Sequence, residues 1–519
     1  MKLVKISSNS IQIRSNDNEF SNIRINDLLS VSDDEIVVVA MVTDIKNTES
    51  EEDGFEGLPF GNIICMKEID CSIIGSVTNG LFSSTIERYP TTDVKIHQIC
   101  SEEFSGMLAK YENSGFRIGK YTDYDCSAFV NGNKLFQRHA CIVGNTGSGK
   151  SETVSKILEE VSKLPGANVI VFDIHGEYSE ISYANSIKVG KEFPIPIWLF
   201  GFNSIVTDIL KIKEESATVI MTALRKAYYK VCPEGSENKP VYFDYREFIA
   251  ALEYLNTEMV KTGEFYKSGD RAGEEKLAKG DYNGKLSSVI NQLEDKFNDS
   301  RYQFLFAEAG QNYINVVIDA LLTSDKPVKN IDLSDIPHDI AISVIGVLVR
   351  LVYDIQRMYD RDKIRPLVLF CDEAHVYIPN NFQLSASQQR MVAVFEEIAK
   401  EGRKFGITLF PATQRPSELN KTILAQCGNF IVMKLNNEND KAIIKSMLPD
   451  GNDSIVDSTT MFTPGDALVI GDASPIPIKI KVSLASERPL SRTIDFWDEW
   501  KNGCKAKDFQ IDIDKYLKN

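Results

Sequence analysis

His139 to Ser151 reads HACIVGNTGSGKS. Its first part, His139 to Val143, has the apolar character of a buried strand. The rest, Gly144-Asn145-Thr146-Gly147-Ser148-Gly149-Lys150-Ser151, matches GxxxxGK[ST] at each fixed position. Glycines let the backbone wrap so that its N–H groups point at phosphate oxygens, and the helix that follows adds its positive end. Lys150 offers a mobile positive charge to the β- and γ-phosphates, and Ser151 a hydroxyl for Mg²⁺. Glu152 to Leu164 then has helical periodicity, and Asn168 to Asp173 is a second apolar strand. Strand, loop, helix, strand is a βαβ unit with a parallel sheet. A plain flexible glycine turn needs neither the apolar strand before it nor the amphipathic helix after it. Gly144, Asn145, Thr146, Gly147, Ser148, Gly149, Lys150, Ser151 and Glu152 are therefore the candidate ATP-binding residues.

A second apolar run, Pro366 to Cys371, ends in Asp372-Glu373. A strand inside a parallel sheet reads as continuous apolar residues, and acids at its carboxyl end lie on the ligand edge. Asp372 is the expected Mg²⁺ ligand beside Ser151, and Glu373 the residue that polarises the attacking water. His375, which follows, suits a structural hydrogen bond better than catalysis. Val169 to Tyr178 (VIVFDIHGEY) is a further strand ending in an acid. Asp173 there is either a turn residue or a neighbour of the γ-phosphate; His175 and Glu177 are weaker candidates. A third such strand ends Pro411-Ala412-Thr413-Gln414-Arg415-Pro416, which places Gln414 as a γ-phosphate sensor. Arg403, in Glu401-Gly402-Arg403-Lys404-Phe405-Gly406, and Arg415 are candidate arginine fingers, Arg403 favoured and acting from the next subunit. The plainer reading of Arg403-Lys404 is a solvated helix end, where cations are favoured in any case.

The chain has 519 residues and a net charge of −16, with 43% hydrophobic and 25% charged residues. That length suits about two to four domains. The acidic balance weighs against nucleic-acid binding by bulk charge, so any DNA contact must be local. The nine cysteines are scattered, with no CxxC and no Cys/His cluster of zinc spacing, and fit a reducing compartment. Met1 to Ser10 lacks a charged-then-apolar leader, and no apolar run reaches a membrane-spanning length. A soluble, cytoplasmic protein without a membrane partner is expected.

Residues 1–130 carry short β-rich runs, Ile11 to Ile13, Glu35 to Thr43 and Gly61 to Met66, which predict a small barrel or sandwich. The acidic stretch Asn47 to Gly54 reads as an exposed hairpin loop. Residues 131–204 and 306–485 hold the sheet, with strands predicted at 314–318, 330–333, 367–372, 407–412, 429–434, 467–470 and 476–482. Residues 205–305 read as a helical insertion, with helices at 214–229, 244–261 and 285–297. Residues 486–519 are a polar tail. The predicted fold class is α/β: a RecA-like P-loop ATPase core with a parallel-rich central sheet, an N-terminal small β-barrel and a helical insertion.

GNTGSGKS after Arg138-His139, then DIHGEY, DEAH, EGRKFG and ATQRP in this order resemble the HerA branch of the HerA–FtsK family. Arg24 to Asp27 and Cys71 to Ser76 resemble the barrel that precedes the ATPase in that family, a HAS-barrel. Glu487-Arg488-Pro489-Leu490 resembles its tail, and the resemblance implies a segment that braces the neighbouring subunit. The resemblance covers most of the chain, least of all 205–305. It implies a homo-hexameric ring with ATP between subunits and double-stranded DNA in a central pore. It further implies a partner nuclease or an NAD-degrading effector, in DNA end processing or phage defence. For DNA contacts the sequence offers the loops Val376 to Arg390 and after Tyr178, which read equally as ordinary surface. An ATP-gated scaffold that holds or activates a partner enzyme is the alternative, and the acidic charge favours it. A conjugation or secretion ATPase fits less well without a spanning segment, and a metabolic kinase leaves Glu373, Gln414 and the arginines without a role.

Overall fold

The computed structural model describes residues 2–16, 22–33, 35–51, 63–91, 93–112, 114–212, 218–237, 239–380, 384, 386–448, 453–491, 496–503 and 513. Seven strands come first: β1 (Lys2–Ile6), β2 (Ser10–Asn16), β3 (Leu28–Ser32), β4 (Val37–Glu51), β5 (Ile63–Thr78), β6 (Leu81–Ser83) and β7 (Lys95–Gln98). They pair antiparallel in the order β1-β2-β5-β4-β3-β7, with β6 on the end of β5. Strand β4 explains the shape. Val38, Ala40 and Val42 face one cluster with Ile11, Ile13 and Ile69, while Val39 and Met41 face Phe82 and Phe104 on the other side. A strand apolar on both faces is sandwiched. A closed barrel would pair its two ends; β1 and β7 are not paired with each other, so the predicted barrel is an open half-barrel. The predicted loop at Asn47 to Gly54 needs correction. Asn47 to Glu51 continue β4 and pair with Ile63 to Lys67, because the apolar partner strand extends the ladder; residues 52–54 lie outside the described residues.

The larger sheet has eleven strands. Its members are β8 (Gly115–Tyr121), β9 (Cys126–Asn131), β10 (Ala140–Val143), β11 (Val169–Asp173) and β12 (Ala184–Lys188) before the insertion. The insertion contributes a separate hairpin, β13 (Met259–Phe265) and β14 (Glu275–Lys279). After it come β15 (Val328–Asp332), β16 (Leu367–Cys371), β17 (Ile407–Thr413), β18 (Asn429–Val432), β19 (Asp466–Gly471) and β20 (Lys479–Val482). The order is β12-β15-β11-β16-β17-β10-β18-β19-β20-β8-β9. Pairing from β12 through β18 is parallel, and from β18 to β9 antiparallel. β8 and β9 therefore join the large sheet, although they lie before the division drawn near residue 130.

Every residue of β10, β11, β17 and β18 is buried, which is why these runs read as largely apolar sequence. The predicted strand at 314–318 is instead a helix, Tyr313–Ile318. Its β-branched content suggested a strand, but Val317, Leu321 and Leu322 are the buried positions, a helical spacing. The edge strand β12 (ANSIK) was too polar to be foreseen.

In the insertion, helices Thr218–Val231, Tyr245–Thr257 and Ser287–Asn298 bury one face each. Between the last two stands the hairpin β13–β14, which the helical reading missed; every residue of β13 is exposed.

His139 ties the base of the core together. Its Nδ1 accepts from the Leu409 N–H at 2.9 Å and its Nε2 donates to the Ala399 carbonyl at 2.9 Å, which fixes the neutral tautomer. Burial pushes its pKa down to about 4. Between its ordinary value and 4 the unfolded chain takes up a proton that the folded one does not. Stability is therefore lost as pH falls from about 6.5 through 4, by about 3 kcal/mol at the limit. Denaturant unfolding at pH 7 and pH 4.5 checks this: His139→Gln should be less stable at pH 7 yet lose less on acidification.

Candidate active site

The strand order sets β11, β16, β17 and β10 side by side and parallel, so their carboxyl ends share one edge. That edge receives Asp173, then Asp372 and Glu373, then Gln414, then the loop 144–149. The loop needs its glycines: Gly147 and Gly149 have φ of +75° and +96°, where L-residues are strained. A Cβ on Gly149 would also meet the Gly465 backbone nitrogen at 3.0 Å. The loop is held from behind. Asn145 N–H donates to the Lys434 carbonyl at 2.9 Å, and Gly465 N–H to the Ser148 carbonyl at 2.8 Å. The helix Lys150–Ser162 starts directly after Gly149.

Glu373 is the centre of the site. It is 7% exposed and sits at φ +45°, a left-handed conformation rare outside glycine. Such strain persists only where surrounding contacts enforce it, and it is concentrated at functional sites. Its Oε1 accepts from Lys150 Nζ at 2.5 Å and from Gln414 Nε2 at 2.6 Å. Gln414 Oε1 in turn accepts from the Thr146 hydroxyl. His375 Nδ1 lies 3.4 Å from Glu373 Oε2 and 3.1 Å from Thr413 Oγ1. Burial would raise the Glu373 carboxyl, but the Lys150 ammonium and the Gln414 amide hold it below its ordinary value. Burial lowers His375, against the pull of Glu373.

Asp372 is buried and its carboxyl is pushed up to about 8, chiefly by burial, with Lys150 opposing. Its Oδ1 has no hydrogen-bond partner. An orphaned carboxylate oxygen at the end of this strand fits a divalent cation, whose charge would restore the ionised form. Among the described residues no three acidic, histidine or cysteine side chains could hold a metal by themselves. Mg²⁺ is commonly held by one or two protein oxygens plus substrate phosphates and water, so the pair Asp372 and Ser151 fits it.

Asp173 answers to the turn reading. Its carboxylate accepts from the N–H groups of Glu177 and Tyr178 at 3.0 and 2.9 Å and from Asn330 Nδ2 at 3.1 Å. It holds the DIHGEY turn in shape, and burial raises its carboxyl. Glu152 faces Arg488, and burial raises it. Arg488 belongs to a segment that lies on its own chain. Ser486 N–H donates to Glu159, Glu487 accepts from Ser182 N–H at 2.6 Å, and Leu490 N–H donates to the Glu177 carbonyl at 2.7 Å. Much of the predicted tail beyond it (492–495, 504–512 and 514–519) lies outside the described residues.

Arg403 is not brought to this site. It is exposed and precedes β17, so it sits at the amino edge, near His139. The length of β17, about 20 Å at strand rise, separates that edge from Gln414. Arg415 is at the correct edge but points to solvent, paired with Glu418 at 2.7 Å. In the candidate DNA loop, residues 381–383 and 385 lie outside the described residues, and Arg390 donates to Thr207 Oγ1 at 2.6 Å.

Residues 116–352 match the family model described as the central domain of helicase HerA. The match spans a little under half of the chain, and over it the chain is similar to the HerA central domain. A probable helicase of Methanocaldococcus jannaschii is 28% identical over 403 residues, covering 75% of this chain and 71% of the relative. The DNA double-strand break repair helicase HerA of Saccharolobus solfataricus is 27% identical over 400 residues, covering 75% and 73%. Among solved structures, VirB4 of Thermoanaerobacter pseudethanolicus matches with a TM-score of 0.51 and 16% identity, over 72% of this chain and 98% of that one. At that identity the likeness is one of fold. The chain is a P-loop ATPase. No helix among the described residues is long and apolar enough to cross a membrane.

Proposed function

We propose that this chain forms a homo-hexameric ring that hydrolyses ATP to move double-stranded DNA through its centre, acting with a partner nuclease or an NAD-degrading effector, in DNA end processing or phage defence. The observation that carries the enzymatic part is the network joining Lys150, Glu373, Gln414 and Thr146 at adjacent parallel strand ends. The DNA part is supported by the HerA-named relatives.

In this reading the backbone of Gly144 to Gly149 cradles the phosphates and Lys150 leaves Glu373 to meet them. Ser151 and Asp372 hold Mg²⁺, which supplies charge neutralisation at the phosphates. Glu373, released from Lys150, accepts the proton of the attacking water. Gln414 reports the γ-phosphate to Glu373. Arg403 serves the neighbouring subunit's site, a role its place on the opposite edge favours.

A second reading, an ATP-gated scaffold for a partner enzyme, is favoured by one observation: the chain's net charge is −16. ATP hydrolysis by the purified chain, with and without linear double-stranded DNA at low and physiological salt, separates the two. Lys150→Ala gives the background. A translocase should be stimulated by DNA, and the stimulation should fade with salt as phosphate contacts are screened. Hydrolysis indifferent to DNA at every salt concentration supports the scaffold and sinks the translocase.

A further inference from the structure

We propose that Thr146, at the exposed tip of the phosphate loop, is a positioning residue that anchors the far end of the Gln414 amide and thereby helps hold Glu373 in orientation. The proposal rests on the reading of Glu373 as the group that activates water.

Three hydrogen bonds carry it. Glu373 Oε1 takes one from Gln414 Nε2 at 2.6 Å and one from Lys150 Nζ at 2.5 Å. Gln414 Oε1 takes one from the Thr146 hydroxyl. Glu373 is ionised beside Lys150 and can only accept. The amide must therefore turn its NH₂ toward Glu373 and its oxygen away. That oxygen then needs a donor, and Thr146 supplies it. A flipped amide would set two oxygens against each other at Glu373, lose a hydrogen bond to a charged group, and present NH₂ to Thr146 instead. Glu373 thus fixes the sense of the amide, and the Thr146 hydroxyl tethers its oxygen end to the phosphate loop.

The chemistry gives the arrangement a purpose. When Lys150 moves to the phosphates, Gln414 becomes the main remaining donor to Glu373 Oε1. An amide tethered at its far end then keeps the carboxylate aimed; an untethered one does not. Thr146 is thus coupled to Glu373 across 227 positions of sequence without touching it, through Gln414 alone.

The test is steady-state ATP hydrolysis by the full chain with Mg²⁺. Thr146→Val, close in shape but without the hydroxyl, should lower kcat roughly tenfold, what one hydrogen bond to a charged network is worth, and leave KM within about twofold. Thr146→Ser should restore kcat. In a Gln414→Ala background, Thr146→Val should add nothing further, because the group it acts through is gone. If the valine chain misfolds, Thr146→Ala carries the same comparisons. Wild-type kcat in the hydroxyl-free variant, failure of serine to rescue, or a second full loss on top of Gln414→Ala would each overturn the proposal. Glu373→Gln separates the levels. If it hydrolyses ATP normally, the reading of the whole site falls. If it is inactive while Thr146→Val is unimpaired, only the role of Thr146 falls.

Discussion

Glu373→Gln should leave ATP bound but unhydrolysed, with kcat lowered by about 10²–10⁴, the usual share of a positioned general base. The structure adds a second signature. Lys150 and Glu373 form an ion pair with side chains only 6% and 9% exposed. ATP must break that pair to claim Lys150. Removing the Glu373 charge removes the competition, so the variant should bind ATP more tightly than the parent. The same change leaves Lys150 buried without its counter-ion, and losing one partner of a buried pair costs about 3–5 kcal/mol. The nucleotide-free variant should therefore melt earlier than the parent, with the deficit narrowing once ATP and Mg²⁺ are added. Thermal unfolding with and without nucleotide, beside a hydrolysis assay, reads all three effects. Normal hydrolysis would remove Glu373 from its assigned role, and an unchanged melting temperature without nucleotide would contradict the buried pair.

Arg403→Ala should lower hydrolysis by about 10³–10⁵, the scale of an arginine finger, with its own ATP-binding loop intact. Because Arg403 lies on the edge opposite its own site, the loss should be repairable from another chain. Arg403→Ala and Lys150→Ala chains, each inactive alone, should recover activity when co-assembled. The recovered interfaces pair an intact loop from the first with an intact arginine from the second. Recovery that depends on mixing places the arginine in trans. No recovery, with co-assembly verified by size, sinks that placement, and Arg415 becomes the residue to substitute next.

The core was legible because burial leaves a plain mark on sequence. Cys141 to Val143, Val169 to Phe172 and Leu367 to Cys371 lie inside a parallel sheet, covered on both faces, and read as unbroken apolar runs. The acids and the glutamine follow those runs directly, so their shared edge was readable too. The edge strand β12 was not, since a polar strand at a sheet margin resembles a loop. Tyr313 to Ile318 misled through its β-branched side chains, whose burial follows helical spacing instead. The hairpin β13–β14 is rich in Lys and Glu and packs its side chains into solvent, so no period marked it. The bond from Thr146 to Gln414 spans 268 positions, and nothing local in either segment announces it.

That hairpin gives the chain a place to be lengthened. Its turn runs through Gly269 and Gly273, both at positive φ, and closes on its own backbone, Gly273 N–H to the Tyr266 carbonyl at 2.9 Å. Extra residues in such a turn add only a closure entropy that grows with the logarithm of loop length. A fluorophore or affinity sequence seated between Gly269 and Gly273 would ride on the insertion as a passenger, outside the hydrogen bonds that hold the phosphate loop and Glu373.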